Sequence, residues 1–431
     1  MELIIHRGTQ EIGGSCVELK TNTARLLIDF GIPLTTPRKE RFDSKLLVGK
    51  SIEELKALKI LPQINGLYRN QDREIDAIMI SHAHLDHYGL LNYAHPDIPV
   101  YMSQGAEELI EISSIFTPNK LNKISAKAIS NKKPFKVGDI KITPYLVDHS
   151  AFDALAYLIE AEGKRLFYSG DFRGHGRKSE LFKKMLKNPP RDIDCLLMEG
   201  SSLGRNEALY QDEISVEKRI VQVLKEADNI TFLFASSQNI DRLVSAYKAC
   251  LKADKIFVID IYTAYILDRL SGISKHLPQF NWRNMRVKFY KNQADVLAQK
   301  VSIKKLYSYN AKKIEIDEIN EKKDKILMLS RDNSIFPRII KGIDSPRGAK
   351  IIYSMWEGYL TDEFRQYCKD NGLVLEEVHT SGHAAIEDLK AFANAIKPNM
   401  LIPIHTFEAG RYPSLFQHVK LLKDGEELTI S

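Results

Sequence analysis

Strand-length apolar runs separated by polar turns organise the first half of the chain. CVELK (16–20) and ARLLIDFG (24–31) read as paired strands, the second ending at Asp29. IDAIMI, IKITPYLVDHS, ALAYLIEA, KRLFYSGD and DIDCLLMEG follow as further strands, and several finish on a polar or acidic residue: His82, His149, Asp171, Glu199. A rigid sheet holds such strand-exit residues convergent, so chemistry is expected there. From about residue 212 the period changes. SVEKRIVQVLKEA has helical spacing, ITFLFA is a buried strand, NIDRLVSAYKACLKA is helical again and KIFVID is a strand, which predicts a parallel α/β unit. KILMLS and AKIIYSM extend that unit, and LVLEEVH, the helix AAIEDLKAFANAIK and the strand MLIPIH form the tail. The pattern divides the chain into a β-rich body (1–205), an α/β insertion (206–360) and a returning part of the body (361–431).

A length of 431 residues leaves room for two domains or one large one. With 44% apolar and 27% charged residues the composition is that of an ordinary globular protein, and no apolar stretch predicts a membrane span. The start, MELIIHRGTQEIGG, lacks the apolar core of a signal peptide. Cys16, Cys195, Cys250 and Cys368 are scattered and suggest neither a zinc ribbon nor a disulfide framework, so a cytoplasmic location is expected. The net charge, 62 − 56 = +6, is compatible with a polyanionic partner without establishing one. Two stretches, 119–136 and 173–191, are locally basic and read first as solvated faces.

ISHAHLDHYG (80–89) changes this picture, because it crowds His82, His84, Asp86 and His87 onto the exit of a strand. Neutral imidazole and carboxylate are ligands that zinc, manganese or iron accept, and a catalytic zinc keeps one position open for water. Residues two apart face different directions on a helix, so a loop is expected here. One loop cannot close two metal sites, and other strand ends offer His149 in LVDHSAFD and Asp171 in LFYSGDFR.

In this order, with GTQEIGGSC near the start and Asp29 ending LLIDFG, the chain resembles the metallo-β-lactamase superfamily. The resemblance implies an αββα sandwich with two metals. His82, His84 and His149 would hold the first, Asp86 and His87 the second, and Asp171 would bridge them; Asp29 would orient the ligand loop by hydrogen bonding. A further histidine for the second metal is offered by His383 in VHTSGHAAIEDL and His405 in MLIPIHTF. Here the resemblance narrows to the β-CASP nucleases, the branch that includes ribonuclease J. Glu199 in LLMEGSS, His383 in an SGHA turn and His405 ending LIPIH match its three later motifs, and the stretch 212–355 matches its inserted cassette. That branch implies His405 as a ligand, His383 at the scissile phosphate or leaving oxygen, Glu199 orienting His383 or a metal ligand, and Ser381 and Gly382 beside the phosphate.

The function so implied is a binuclear metal-dependent ribonuclease, using a metal-activated hydroxide on single-stranded RNA, with two divalent ions, zinc or else manganese. His405 at the last motif favours RNA over DNA within the branch. No membrane partner is implied, and a homodimer stays open. Three rivals are a hydrolase of small esters, thioesters or phosphodiesters, a DNA nuclease, and a non-catalytic RNA-binding protein. The cassette speaks against the first and the complete ligand set against the last. The chain also departs from ribonuclease J, with HTFEAGRYPSLF (405–416) where that family carries a stretch resembling GEYRH. The insert at 36–75 is placed to cover the cleft as a lid, and His175 in RGHGRK to touch RNA. SSLGRN (201–206) lacks the lysine of a phosphate loop, and His379 is expected to support the His383 turn.

Overall fold

The computed structural model describes residues 1–36, 41–122, 124–205 and 210–431. Residues 37–40 of the expected lid, residue 123 of the first basic stretch and residue 206 of SSLGRN lie outside them.

Two sheets stack face to face. In spatial order the first runs Glu427–Thr429, Glu2–Arg7, Cys16–Lys20, Arg25–Ile28, Ala77–Met79, Pro99–Ser103 and Ser125–Ile129. The second runs Met400–Ile404, Cys195–Glu199, Lys164–Tyr168, Leu155–Ala161, Ile140–Leu146 and Phe135–Val137. Because side chains alternate along a strand, Leu3, Val17, Leu26 and Met79 point inward from one sheet and meet Ile142, Tyr157, Leu166 and Ile402 from the other. Each such fully buried side chain is worth about 1.5–3 kcal/mol of transfer free energy. The alternate residues face out. Leu27, Ile78 and Val100 pack on the helix Gln104–Phe116 through Ala106, Leu109 and Ile110. Phe167, Leu196 and Met198 pack on the helices Ser179–Lys187 and Ile386–Ile396 through Phe182, Leu389 and Phe392. These are the αββα layers.

The inserted unit is a seven-stranded sheet ordered Lys313–Ile314, Met285–Lys288, Ile256–Asp260, Ile326–Ser330, Thr231–Phe234, Lys350–Tyr353 and Val374–Glu377, with every pairing parallel. Its inner strands are buried on both faces, which is why ITFLFA reads as an unbroken apolar run. Phe232 and Phe234 face Phe336 and Phe364 on one side. Leu233 and Ile352 face Val216, Ile220 and Leu243 on the other, in a core continuous with that of the body.

Two expectations change. Val374–Glu377 was assigned by its position to the returning body, but it pairs in parallel with Lys350–Tyr353, Lys350 opposite Val374 and Tyr353 opposite Glu377. The helix Asp362–Asp370 is the crossover of that strand–helix–strand unit. The insertion therefore runs through Glu377, and the body resumes after it rather than at 361. The stretch 41–75 is no free lid either: Leu55, Leu61, Leu67 and Tyr68 anchor it in the body's core. Among the described residues no helix is long and apolar enough to cross a membrane.

Register decides where the chemistry goes. Arg25–Ile28 and Ala77–Met79 run parallel with Ile28 opposite Met79. In the second sheet Lys164–Tyr168, Cys195–Glu199 and Met400–Ile404 run parallel, with Tyr168 opposite Leu197 and Glu199 opposite Ile404. Parallel neighbours end at the same edge, so Asp29, the 82–87 loop, Asp171, Glu199 and His405 all leave the sandwich together.

Candidate metal centre

Asp29 and His405 are the first residues past their strands, and both adopt left-handed backbone, φ 61° and 55°. Non-glycine residues hold that conformation only where their surroundings over-determine it, and such residues cluster at functional sites. His84 caps a one-turn helix, Leu85–Tyr88, so His82 and His84 lie on the expected loop while Asp86 and His87 ride on a helical turn. That turn is hydrogen-bonded to the Asp29 exit, Phe30 N donating to the His87 carbonyl at 2.7 Å and Ile32 N to that of Leu85 at 3.0 Å. The approach is so close that a Cβ on Gly31 would overlap the Asp86 carbonyl. Gly31→Ala is therefore expected to push the ligand turn away, costing about 3 kcal/mol in urea unfolding and weakening metal binding in titration calorimetry.

Seven side chains converge. His82 Nε2 lies 3.0 Å from His84 Nδ1, and His149 Nε2 lies 3.3 Å from the same atom. Nitrogens bound tetrahedrally to one zinc at about 2.0–2.1 Å sit roughly 3.4 Å apart, so the spacing suits an ion. Facing this trio are Asp86, His87 and His405, with Asp86 Oδ2 3.7 Å from His87 Nε2 and 3.6 Å from His405 Nε2. Asp171 Oδ2 stands between the two groups, 3.8 Å from His82 Nε2, 3.3 Å from His87 Nε2 and 3.6 Å from His405 Nε2.

The outer shell sets the tautomers. Asp29 accepts from Ser81 N (2.7 Å), Ser81 Oγ (2.8 Å), His87 Nδ1 (2.8 Å) and Tyr168 Oη (2.7 Å). Ser81 Oγ in turn lies 3.0 Å from His82 Nδ1. His149 Nδ1 donates to the Gly382 carbonyl at 2.6 Å, while His405 Nδ1 lies 2.9 Å from Ser15 Oγ and accepts from Gly13 N at 3.3 Å. An Nδ1 that donates outward, as in His82, His87 and His149, leaves Nε2 to offer a lone pair to the cluster. Among the described residues, His87 Nε2 and His405 Nε2 are buried there with no hydrogen-bond partner. A buried nitrogen without a partner is costly, and a divalent cation would satisfy both. Five imidazoles and two carboxylates, with no thiolate, form a donor set for zinc or manganese.

Electrostatics agree. Burial, then the neighbouring imidazoles, hold His82 and His149 well below the ordinary histidine range. Burial brings His84 down to about 4, against the pull of Asp86. These three are neutral at neutral pH, as ligation requires. Burial also opposes charge on His87 and Asp171, but neighbours outweigh it. Asp171, Asp29 and Asp86 push His87 well up, while His405, His87 and His383 hold Asp171 well down. Ionised carboxylates that hold a proton on the His87 imidazole would hold a cation in its place.

His383 and Glu199 stand beside Asp171. His383 Nδ1 is 3.3 Å from Glu199 Oε1 and 3.6 Å from Asp171 Oδ2. Glu199 Oε2 accepts from Ser201 N at 2.9 Å. Ser381 Oγ accepts from His383 N at 3.0 Å, and the Ser381 carbonyl accepts from Arg173 Nη1 at 2.8 Å. His175 Nε2 lies 3.0 Å from that carbonyl, so His175 pins the turn. Arg173 corrects the reading of 173–191 as a solvated face. It is fully buried and reaches Asp241 (2.6 Å), Asp148 (3.5 Å) and Glu213 (3.6 Å). Its partners come from the insertion and from beside His149, which no local pattern announces. Ser81, Tyr168 and Ser15 were likewise unmarked, being ordinary strand and turn residues next to marked ones.

Known proteins place this arrangement. Residues 59–232 match the family model described as a beta-lactamase superfamily domain, and residues 10–101 that of the metallo-beta-lactamase superfamily. Ribonuclease J of Helicobacter pylori (strain B128) is 23% identical over 98% of this chain and 60% of its own length, and ribonuclease J of Mycoplasma genitalium is 24% identical over 92% of this chain and 66% of its own. The chain thus spans about 60% of the length of the Helicobacter relative. A crystal structure of a protein of unknown function from Enterococcus faecalis V583 shares the fold with a TM-score of 0.78 at 23% identity, covering 99% of both chains. The family models cover the strands that carry Asp29, His82–His87, His149, Asp171 and Glu199, and the two-sheet body is the one that family builds: this chain belongs to the metallo-β-lactamase superfamily.

Proposed function

We propose that this chain is a binuclear metal-dependent ribonuclease of the β-CASP type, cutting phosphodiester bonds of single-stranded RNA. One observation carries the reading. Two ligand groups, His82/His84/His149 and Asp86/His87/His405, face each other across the single carboxylate of Asp171, in a chain that ribonuclease J matches along 98% of its length. Two divalent cations bound there, zinc or manganese, would supply Lewis acidity to phosphate oxygens and bring the proton affinity of water near neutrality.

The remaining tasks fall to the chain's own groups. The neutral imidazoles of His82, His84 and His149 offer lone pairs without first shedding a proton. Asp29 fixes the ring of His87, and through Ser81 that of His82. Burial works against charge on His383, but Glu199 and Asp171 outweigh it and raise its proton affinity. With its side chain 18% exposed, against 2% or less for His82, His87 and His405, it is, like the half-buried His84, open to the cleft. It is thus suited to donate a proton to a phosphate or leaving oxygen, with Ser381 and Gly382 alongside. The insertion favours a polymer over a small ester, because a small substrate needs no second wall.

The test sets a labelled single-stranded RNA, the matching DNA and a set of model esters and thioesters against equal amounts of metal-loaded protein. RNA is expected to be cleaved fastest, and chelation to stop it. Intact RNA beside rapid ester turnover would reverse the assignment.

A further inference from the structure

Beside the metal-ligating cluster, three distant chain segments bring together two aromatic rings and two guanidinium groups. Trp356 and Tyr359 flank a short turn that follows the insertion strand Lys350–Tyr353. Their rings meet edge to face, with centroids 5.3 Å apart at 88°. The Arg205 guanidinium lies 4.9 Å from the Trp356 ring centre, and that of Arg41 lies 5.5 Å from the Tyr359 ring centre.

Both arginines are delivered from the edges of the cluster. Arg205 follows, by four residues, Ser201, whose amide donates to Glu199 and whose hydroxyl donates to the His405 carbonyl at 3.1 Å. Arg41 forms an antiparallel bridge with Thr35, next to Leu34. A Cβ on Gly13 would touch both Leu34 (2.6 Å) and the Asp86 side chain (3.2 Å), which places Leu34, one residue before the bridge, close to the second candidate ligand group. After burial, Asp86 is the next influence on the Tyr359 phenol, and Glu199 is the next on Arg205. Yet the rings stay open to solvent, Trp356 42% and Tyr359 44% exposed, and neither belongs to a core cluster.

A contiguous, solvent-open aromatic pair flanked by fixed positive charge, at the mouth of a phosphodiester-cutting site, has the chemistry that holds single-stranded nucleic acid: rings for base faces, guanidinium groups for phosphates. We infer that Trp356 and Tyr359 form a stacking platform for an unpaired base of the RNA, with Arg205 and Arg41 on the adjoining phosphates. For the identity of the polymer this rests on the function proposed above. Gly358 belongs to the device, because a Cβ there would collide with the Trp356 indole.

The test separates base from phosphate. The chain has two tryptophans, so Trp282→Phe leaves Trp356 as the sole indole reporter. In the metal-loaded full chain carrying that change, adenosine 5′-monophosphate is expected to quench Trp356 fluorescence and ribose 5-phosphate to leave it unchanged. Trp356→Ala is expected to weaken binding of an uncleavable phosphorothioate oligoadenylate roughly 5- to 150-fold, with Trp356→Phe retaining most of the affinity and Gly358→Ala falling between. An equal response to both small probes, or oligonucleotide affinity untouched by Trp356→Ala, overturns the platform. Binding is read here apart from cleavage, which the substrate comparison above measures. Base-dependent quenching in a protein that cuts no RNA would remove the ribonuclease reading and keep the platform; cleavage without base dependence would do the reverse.

Discussion

Replacing His84 by alanine, and separately Asp86 by alanine, is expected to remove one bound cation each, to abolish metal-dependent RNA cleavage, and to leave the fold standing. Among the described residues His84 Nδ1 has hydrogen-bonding distances only to His82 and His149, so truncating it sacrifices no such bond outside the cluster. Those imidazoles also disfavour charge on one another. The metal-free His84→Ala protein should therefore melt close to the parent. What disappears is the response to metal. An ion at a thousand times its dissociation constant stabilises the native state by about 4 kcal/mol, and a variant lacking a ligand loses most of that. Catalysis falls further. Charge neutralisation by a metal is worth several kcal/mol in such a reaction, and each ~1.4 kcal/mol is tenfold, so a drop of about a thousandfold or more is expected. Elemental analysis, thermal melts with and without metal, and RNA cleavage give three independent readings. A variant that keeps both ions and cuts at the parental rate would remove the binuclear assignment.

The convergence of the candidate ligands was legible because metal binding demands rare residue types in a short space. His82, His84, Asp86 and His87 occupy six consecutive positions, and His149, Asp171, Glu199 and His405 each follow an apolar run that only a strand explains. Strand exits are visible in sequence; pairing partners are not. Val374–Glu377 carries a half-buried edge pattern that suits either sheet, and it was placed by the crossover packing of Asp362–Asp370. The outer shell was invisible for another reason. Serine and tyrosine at Ser81 and Tyr168 are common in strands and turns, and only the left-handed turn at Asp29 aims its carboxylate at both. Arg173 shows the same limit in charge. A basic run in sequence implies solvent unless carboxylates arrive from elsewhere, and here Asp241 and Glu213 arrive from the insertion.

Arg173→Met is expected to be among the most damaging substitutions in the chain, although Arg173 belongs to neither ligand group. The guanidinium is fully buried between Asp148, which precedes the ligand His149, Asp241 and Glu213 of the insertion, and the Ser381 carbonyl of the His383 turn. Removing one partner of a buried ion cluster leaves the others uncompensated, at a cost of about 3–5 kcal/mol. Arg173→Lys should recover only part of this, since a single ammonium cannot reach a carboxylate and a carbonyl with a planar fork. The pH dependence distinguishes this mechanism from loss of packing. In the parent, burial works against ionisation of Glu213, but Arg242 and Arg173 outweigh it and hold the carboxyl down at about 2 against an ordinary 4.5. That stabilisation is complete above pH 4.5 and drains away as pH falls toward 2, because the unfolded state then binds the proton first. Without Arg173, Glu213 keeps Arg242, but Asp148, which burial already raises, loses the guanidinium that lowers it and gains further proton affinity over the unfolded chain; for that group the sign is opposite, and the variant gains stability as pH is lowered from 7 toward 5. Urea midpoints for parent, Arg173→Met and Arg173→Lys across that range would show it. A Met variant whose deficit stays constant with pH would mean that Arg173 acts by filling space, and its role in joining the insertion to the His149 and His383 segments would fall.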